Sequence, residues 1–396
     1  MRLVHTSDWH LGRAFHGVSM LDAQAAFLEH LVEIVRAERV DAVLVSGDVY
    51  DRAMPAPDTV ALLSEAVTGL VDAGAVVVLS SGNHDSAIRL GFAAPLLARA
   101  GLHIRSSVAD VGVPVLVGDT AVYPLPYLEP ALAAPALGVA QVEHAAVLRA
   151  AMRRVAADRH TRHLPAVVMA HAFVAGGLTS DSERDIAVGG VGAVPPSVFR
   201  GIDYVALGHL HRPQALGERI RYSGSPLAWS FGERGHTKGS WLVDVAPGVG
   251  DEGAAVSAQF VPAPLARPIA VLRGDLEGLL TDPALAESET AWCQVVLTDA
   301  VRPLGAMDRV RVRFPHTLSL AFEPTGAVVD RAEYAARRVH EKPELDVCAE
   351  FLTHVRGGAG PDPAEFAVLG EAVEGSRVRR AEHDDEGGLG LGRVVA

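Results

Sequence analysis

The chain has 396 residues, 49% hydrophobic and 21% charged, with a formal net charge of −13. That length and balance fit a globular protein with one large domain and room for smaller ones, and exclude a fibrous or low-complexity chain. The negative charge counts against nucleic-acid binding by bulk electrostatics, although bound divalent cations or a basic partner would reverse the field locally.

Arg2 to His5 reads as a short strand feeding the loop Thr6-Ser7-Asp8-Trp9-His10-Leu11-Gly12. It leaves no room for a signal peptide, and no apolar run is long and uncharged enough to span a bilayer. In extended chain, residues i and i+2 point the same way, so Asp8 and His10 are placed to grip one ion together. Asp22 to Arg39 is predicted helical, with Leu28, Leu31, Val32 and Val35 at helical spacing. The apolar run Ala42-Val43-Leu44-Val45 then predicts a buried strand that stops at Ser46-Gly47-Asp48-Val49-Tyr50-Asp51. Asp48 stands at its carboxyl end, where open α/β sheets place their ligands.

Asp58 to Ala73 is a second predicted helix, and Ala75 to Leu79 a third buried strand ending in Ser80-Ser81-Gly82-Asn83-His84-Asp85. Strand, helix, strand, helix, strand with short connections predicts a parallel sheet covered on both faces. Ile88 to Ala100 is expected to be helical, Pro114 to Val117 and Ala121 to Pro124 strands, and Glu143 to Arg159 a helix. Ala166 to Ala170 is another buried strand with His171 at its end, and Gly176 to Pro196 a loop over the site. Asp203 to Leu207 stops at Gly208-His209-Leu210-His211; Arg219 to Tyr222 and Ser240 to Val245 follow as strands expected to be antiparallel.

The Gly-, Ala- and Pro-rich stretch from Ala246 to Pro268 reads as a domain boundary. The predicted division is 1–265, a small α/β unit at 266–328, helices at 329–380 and a disordered tail at 381–396. Within the small unit, Cys293 to Leu297 and Val310 to Phe314 look strand-like. Leu345, Cys348, Leu352 and Val355 share one helical face, and Phe366, Leu369 and Val373 another. The two cysteines, Cys293 and Cys348, form neither a CxxC pair nor a disulfide framework, and a cytoplasmic location is expected.

Five predicted strand ends thus deliver metal-capable side chains: Asp8 with His10, Asp48, Asn83, His171, and His209 with His211. Any one is ordinary; a lone histidine is more often structural or at the surface than a ligand. All five in order, each after an apolar strand, make coincidence remote. The set is oxygen and imidazole with no thiolate, which argues against a closed structural zinc site. A bridging carboxylate among such groups suits two ions roughly 3.5–4 Å apart, the arrangement that assists phosphoryl displacement.

The series DxH, GDxxD, GNHD, an isolated His and GHxH resembles the calcineurin-like metallophosphoesterases. More narrowly, HTSDWHLG, VSGDVYD, SGNHDS, SDSERDIAVGG and ALGHLHRPQ are similar to segments of the nuclease subunits of bacterial SbcCD-type complexes. The resemblance implies a two-sheet α/β sandwich with flanking helices, plus a small α/β cap and C-terminal helices. It implies one manganese held by Asp8, His10, Asp48 and His211, and a second held by Asp48, Asn83, His171 and His209. His84 would face the scissile phosphate, oriented by Asp51 or by the competing Asp85. Arg13, Arg52, Arg89, Arg184 and Arg212 lie beside the motifs as candidate phosphate contacts.

The implied activity is a 3′→5′ duplex exonuclease and single-strand endonuclease acting on DNA ends and hairpins in repair, recombination and replication. The resemblance also implies a partner, an SbcC-type ATPase bound by the C-terminal helices; ATP would be hydrolysed by that partner, since this chain has no GxxxxGK[ST] loop. A homodimer within a heterotetramer is implied too, with Leu62 and Leu97 as candidate contacts. The rival readings are a phosphodiesterase for small substrates such as cyclic nucleotides, and a scaffold with a dead site.

Overall fold

The computed structural model describes residues 1–183, 192–248, 253–264, 266–325, 343–356 and 358–386. Two compact units result, Met1–Ile269 and Ala270–Ala396. In chain order the first runs through β1 (Arg2–Thr6), the hairpin β2 (Ala14–Phe15) and β3 (Val18–Ser19), α1 (Leu21–Glu38), β4 (Ala42–Ser46), α2 (Pro57–Asp72) and β5 (Val76–Ser80). Next come α3 (Ala87–Leu90), α4 (Ala94–Leu97), β6 (Leu102–Arg105), β7 (Val115–Val117), β8 (Thr120–Pro124), α5 (Pro130–Leu137) and α6 (His144–Arg162). The unit closes with β9 (Ala166–His171), β10 (Tyr204–Gly208), β11 (Gln214–Leu216), β12 (Ile220–Tyr222), β13 (Gly239–Ala246) and β14 (Ala255–Pro262).

These strands form two six-stranded sheets, ordered β14-β13-β1-β4-β5-β6 and β11-β12-β10-β9-β8-β7. Period-two alternation decides how they stack. Leu3, Ala42, Leu44 and Val78 point from the first sheet into one core with Val167, Met169, Tyr204 and Ala206 of the second. The intervening Val4, Val43, Val45 and Val77 point the other way, against Leu28 and Leu31 of α1 and Leu63 and Leu70 of α2. Val168, Ala170, Val205 and Leu207 likewise meet Val147, Ala151 and Val155 of α6. The unit is therefore a helix–sheet–sheet–helix sandwich, and both sheets are mixed.

β1, β4 and β5 are mutually parallel, as are β9 and β10, so five carboxyl ends open into loops that carry the candidate ligands. The loops after β1 and β4 are zipped by backbone bonds from Asp8 N to Gly47 O (3.1 Å), His10 N to Asp48 O (2.9 Å) and Leu11 N to Val49 O (2.9 Å). Across the sandwich, Ser46 Oγ donates to Ala206 O at 2.9 Å.

Several expectations are corrected. The stretch 88–100 is not one helix: Ala93 at φ 57° with Pro95 behind it breaks it into α3, α4 and a 3₁₀ turn. β12 pairs parallel with β10 and antiparallel only with β11, whereas β13 is antiparallel to β1 as expected. The stretch 246–268 holds a full strand, β14, paired with β13 from Gly239–Pro262 to Ala246–Ala255. Leu62 and Leu97 pack partly against the core, while exposed apolar side chains nearby include Val60, Ile88, Phe92 and Leu96.

The second unit builds a three-stranded sheet, β15 (Ile269–Gly274), β16 (Trp292–Leu297) and β17 (Thr317–Phe322), with α7 (Leu276–Thr281) and α8 (Ala306–Arg313). Leu272, Leu276, Val295, Leu297, Val310 and Phe314 share its core. Residues 310–313 finish α8 instead of forming a strand: Val310 is the buried member of a helical turn, and β17 follows it. Then come α9 (Glu344–Val355) and α10 (Pro363–Glu386), joined by a bidentate Arg356–Glu365 pair with both contacts at 2.8 Å. α10 continues through Glu386, across the start of the stretch expected to be disordered. The helical expectation for 331–342 and the rest of the tail lie outside the described residues. No helix among the described residues is long and apolar enough to cross a membrane.

Candidate metal centre

The carboxyl ends of β1, β4, β5, β9 and β10 converge on Asp48. Three overlapping groups have ligand atoms within 4.8 Å of one another: Asp8, His10 and His211; Asp8, Asp48 and His171; and His10, Asp48 and His84. Asp48 Oδ2 lies 3.6 Å from His10 Nε2 and 3.4 Å from His171 Nε2. His171 Nε2 sits 2.9 Å from Asn83 Oδ1, and the His209 ring centroid 5.3 Å from that of His171. All seven sequence-predicted ligands are thus in one place, and all but Asn83 are buried.

Asp8 (φ 53°), His10 (φ 43°), Asp48 (φ 49°) and His209 (φ 101°) all adopt positive φ. Each such residue costs on the order of 1–3 kcal/mol, and strain of this kind gathers at functional sites. Glycine makes room for it: a Cβ at Gly82 would lie 2.1 Å from Asp48 Oδ1. Gln24 Nε2 donates to His10 O at 2.8 Å, and His209 N to Asp8 Oδ1 at 3.0 Å, so side chain and backbone hold the strained loops.

Electrostatics follow from burial and crowding. Burial opposes the charge of Asp48, but His171, with His10 and His84, holds its carboxyl well below the usual range. Burial pushes Asp8 up to about 6 against the pull of His171 and His211. Burial also works against a charged His171, yet Asp48, Asp8 and the Ser46 carbonyl outweigh it and hold the imidazole at about 9. His209 falls to about 3 through burial and the neighbouring His171, so its lone pair stays available.

The residues fit divalent cations. His10 Nε2 and His211 Nε2 face each other at 3.1 Å, a spacing where the two lone pairs need a proton or a cation between them. His10 Nδ1 is buried without a hydrogen-bond partner. The donors are carboxylate, amide oxygen and imidazole, the set hard and borderline ions prefer. Outer partners fix which imidazole nitrogen points inward, as metal sites require. His171 Nδ1 donates to Ser46 O at 3.0 Å, and His211 Nδ1 pairs with Ser182 Oγ at 2.5 Å.

Ser182, Glu233 and Lys238 were missed in the sequence. Ser182 Oγ donates to Glu233, which is buried and ion-paired to Lys238, and Lys238 Nζ donates to His211 O at 2.7 Å. Burial opposes the charge of Glu233, but His211 and Lys238 hold its carboxyl well below the usual range. No spacing signal marks them, because they reach His211 from a loop and from beyond β12.

His84 N donates to Asp48 Oδ1 at 2.8 Å, and His84 Nδ1 donates to the backbone carbonyl of Asp51 at 2.8 Å. Its Nε2 lies 3.9 Å from Asp48 Oδ2. Asp51 therefore meets the ring through its carbonyl, with its carboxylate 3.9 Å away. Asp85 points elsewhere: it accepts from Val49 N, Tyr50 N and Gly82 N, clamping two loops together.

The arginines separate. Arg13 donates to Ser182 O at 3.0 Å and stacks over Trp229 at 5.4 Å, a built-in brace. Arg52 is exposed with Nε 3.7 Å from Asp51, Arg89 is exposed and donates to Ala53 O at 3.3 Å, and Arg212 is exposed beside His211. Arg184 lies outside the described residues. His5 shows what a structural histidine looks like here: it is fully buried, 2.9 Å from Tyr204 Oη and 3.1 Å from Leu207 O.

Strand-end aspartates and histidines between two stacked mixed sheets define a metallophosphoesterase, and residues 1–213 match the family described as calcineurin-like phosphoesterase. The chain belongs to that family. Residues 265–356 match a second model, that of the SbcD C-terminal region, described as Type 5 capsule protein repressor C-terminal domain. The two matches together are consistent with an SbcD-type chain.

Among solved structures, the protein TT1561 of Thermus thermophilus is 15% identical, over 57% of this chain and 89% of that one, with a TM-score of 0.36. The psychrophilic β-glucosidase BglU of Micrococcus antarcticus is 12% identical, over 80% and 82%, with a TM-score of 0.21. At those TM-scores neither bears on fold or function.

Proposed function

We propose that this phosphoesterase is a DNA nuclease that processes double-strand ends and hairpins, as a 3′→5′ duplex exonuclease and single-strand endonuclease. What supports this most is the convergence of six ligand-type side chains on a seventh, Asp48, with His84 beside them, in a chain that also carries the SbcD C-terminal match. Asp8, His10, Asp48 and His211 would hold one ion, and Asp48, Asn83, His171 and His209 the other; manganese, the metal the family resemblance implies, is compatible with these oxygen and imidazole donors. Such ions would lower the pKa of water and offset charge developing on the phosphate.

The chain's own residues do the rest. The carbonyl of Asp51 can only accept, so His84 Nδ1 keeps its hydrogen and Nε2 is the atom that exchanges a proton with the leaving oxygen. Asp85 holds the loops after β4 and β5 at fixed separation, which keeps His84 aimed. Arg52, Arg89 and Arg212 are exposed beside the site and serve as phosphate contacts, whereas Arg13 braces Ser182.

The unit at 266–328 acts as a cap over substrate, and the helices after it bind the base of a partner ATPase of SbcC type. α9 buries none of its residues fully, and its Phe351 and Val355 are exposed, as a face awaiting a partner is. Ile88, Phe92 and Leu96 offer an apolar surface for a homodimer within the larger complex, in the cytoplasm.

A labelled hairpin-ended duplex in Mn²⁺, with and without the partner ATPase and ATP and beside a chromogenic phosphodiester, tests this reading. Hairpin cutting that rises with partner and ATP is expected. Turnover of the small diester alone, under every condition, would make the chain a small-substrate phosphodiesterase instead.

A further inference from the structure

A basic cavity lies at the opposite end of the second sheet from the metal centre. Its walls are α6, the residues just ahead of β9 and of β10, and Pro247 and Gly248 just after β13. β9 and β10 start at this cavity and finish at His171 and Gly208. With a rise of about 3.3 Å per residue, the two sites are on the order of 15–20 Å apart.

The cavity measures ≈ 950 Å³, at the upper end for small-molecule pockets. Arg149, Arg153, Arg159, Arg200, His160 and His163 line it, with Asp203 the one lining carboxylate among the described residues. That carboxylate is already engaged by Ala166 N (2.9 Å), Ala254 N (3.0 Å) and Arg219 Nη1 (3.2 Å), with Arg159 at 3.9 Å. Arg159 Nε is buried without a hydrogen-bond partner. Among the described residues, Arg149, Arg153 and Arg200 enter no ion pair.

Helix-end electrostatics account for part of this. Arg159, His160 and Arg162 occupy the last turn of α6, where positive charge is favoured. They do not account for Arg149 and Arg153, which stand earlier on the helix at i,i+4, where like charges repel. Nor do they account for Arg200, which arrives from another segment. Arg149, Arg153 and Arg200 are exposed, and in a chain of net charge −13 their grouping makes this end of the sheet locally positive, a field that attracts anions.

We propose that this cavity binds a small polyphosphate anion of nucleotide size, with its phosphates on Arg149, Arg153 and Arg200. Leu164, Pro165 and Val198 supply an apolar wall beside them. Planar, forked guanidinium groups suit phosphate oxygens, and a concave site of this volume suits a small ligand rather than a strand, which needs an open track.

The test is calorimetric titration of the full-length chain with inorganic triphosphate and with ATP, in chelator so that neither binds through metal. The variant carries Arg149→Ser, Arg153→Ser and Arg200→Ser. Wild type should bind, and the variant should bind at least about tenfold more weakly, the loss of one or two charge-assisted bonds. Both proteins should turn over a chromogenic diester equally once Mn²⁺ is restored, which shows that the variant is folded. Equal affinity for the two anions assigns the site to the phosphate chain; tighter ATP places the base on the apolar wall. Binding of neither anion, equal binding by the variant, or binding only of an oligonucleotide would overturn the proposal.

Discussion

His84 stands outside the proposed ligand set, with its ring tied to the Asp51 carbonyl, which makes it the sharpest single-residue test of the chemistry. His84→Gln should load metal like wild type, by metal analysis of the purified protein. Its diester turnover should fall on the order of 10²–10⁴-fold, the usual contribution of a positioned acid or base. Wild-type turnover would remove His84 from the reaction. Protons at Asp8 and His171 give a second test. In the metal-free chain Asp8 titrates at about 6 and His171 at about 9, so protons compete with cations across that window. The sign follows: affinity for Mn²⁺ rises with pH from 6 to 9. Loading near pH 7.5 releases about one proton, from His171, read as a buffer-dependent calorimetric heat. Affinity that is flat across the window would contradict the His171 geometry. The candidate ligands were legible in the sequence because each is an Asp, Asn or His in the loop that follows an apolar run. Ser182, Glu233 and Lys238 were not, because their link to His211 exists only once distant segments meet.

At the scale of elements, the site is five strand ends and the loops they release. Fully buried strands read well because apolar runs bounded by Gly or Asp have few other interpretations. Half-buried elements read poorly. β14 alternates exposed and partly buried residues in a stretch whose Gly, Ala and Pro content suggested a domain boundary. Residues 310–313 carry valines and arginines that suit a strand, yet packing of Val310 and Phe314 into the second unit's core makes a helix the better solution. α9 and α10 keep their apolar faces half exposed, and that is a prediction as well as a description. Deleting the chain from residue 343 onward should abolish binding to the proposed SbcC-type ATPase in a pull-down and leave diester turnover near wild type. Retained binding would place the partner elsewhere.

At the scale of the molecule, an acidic chain concentrates its charge unevenly. The first unit gathers carboxylates and imidazoles at the carboxyl ends of its strands and arginines at the far end of the second sheet. The sandwich was legible from strand order and apolar runs, whereas the pairing of β12 and the placement of β14 depend on contacts between distant segments. What the molecule as a whole claims is a paired-cation centre bridged by Asp48. Anomalous diffraction from crystals soaked in Mn²⁺ tests that most directly. Two peaks roughly 3.5–4 Å apart on either side of the Asp48 carboxylate are expected, with both lost in Asp48→Asn. A single peak, or two peaks that persist in Asp48→Asn, would contradict it.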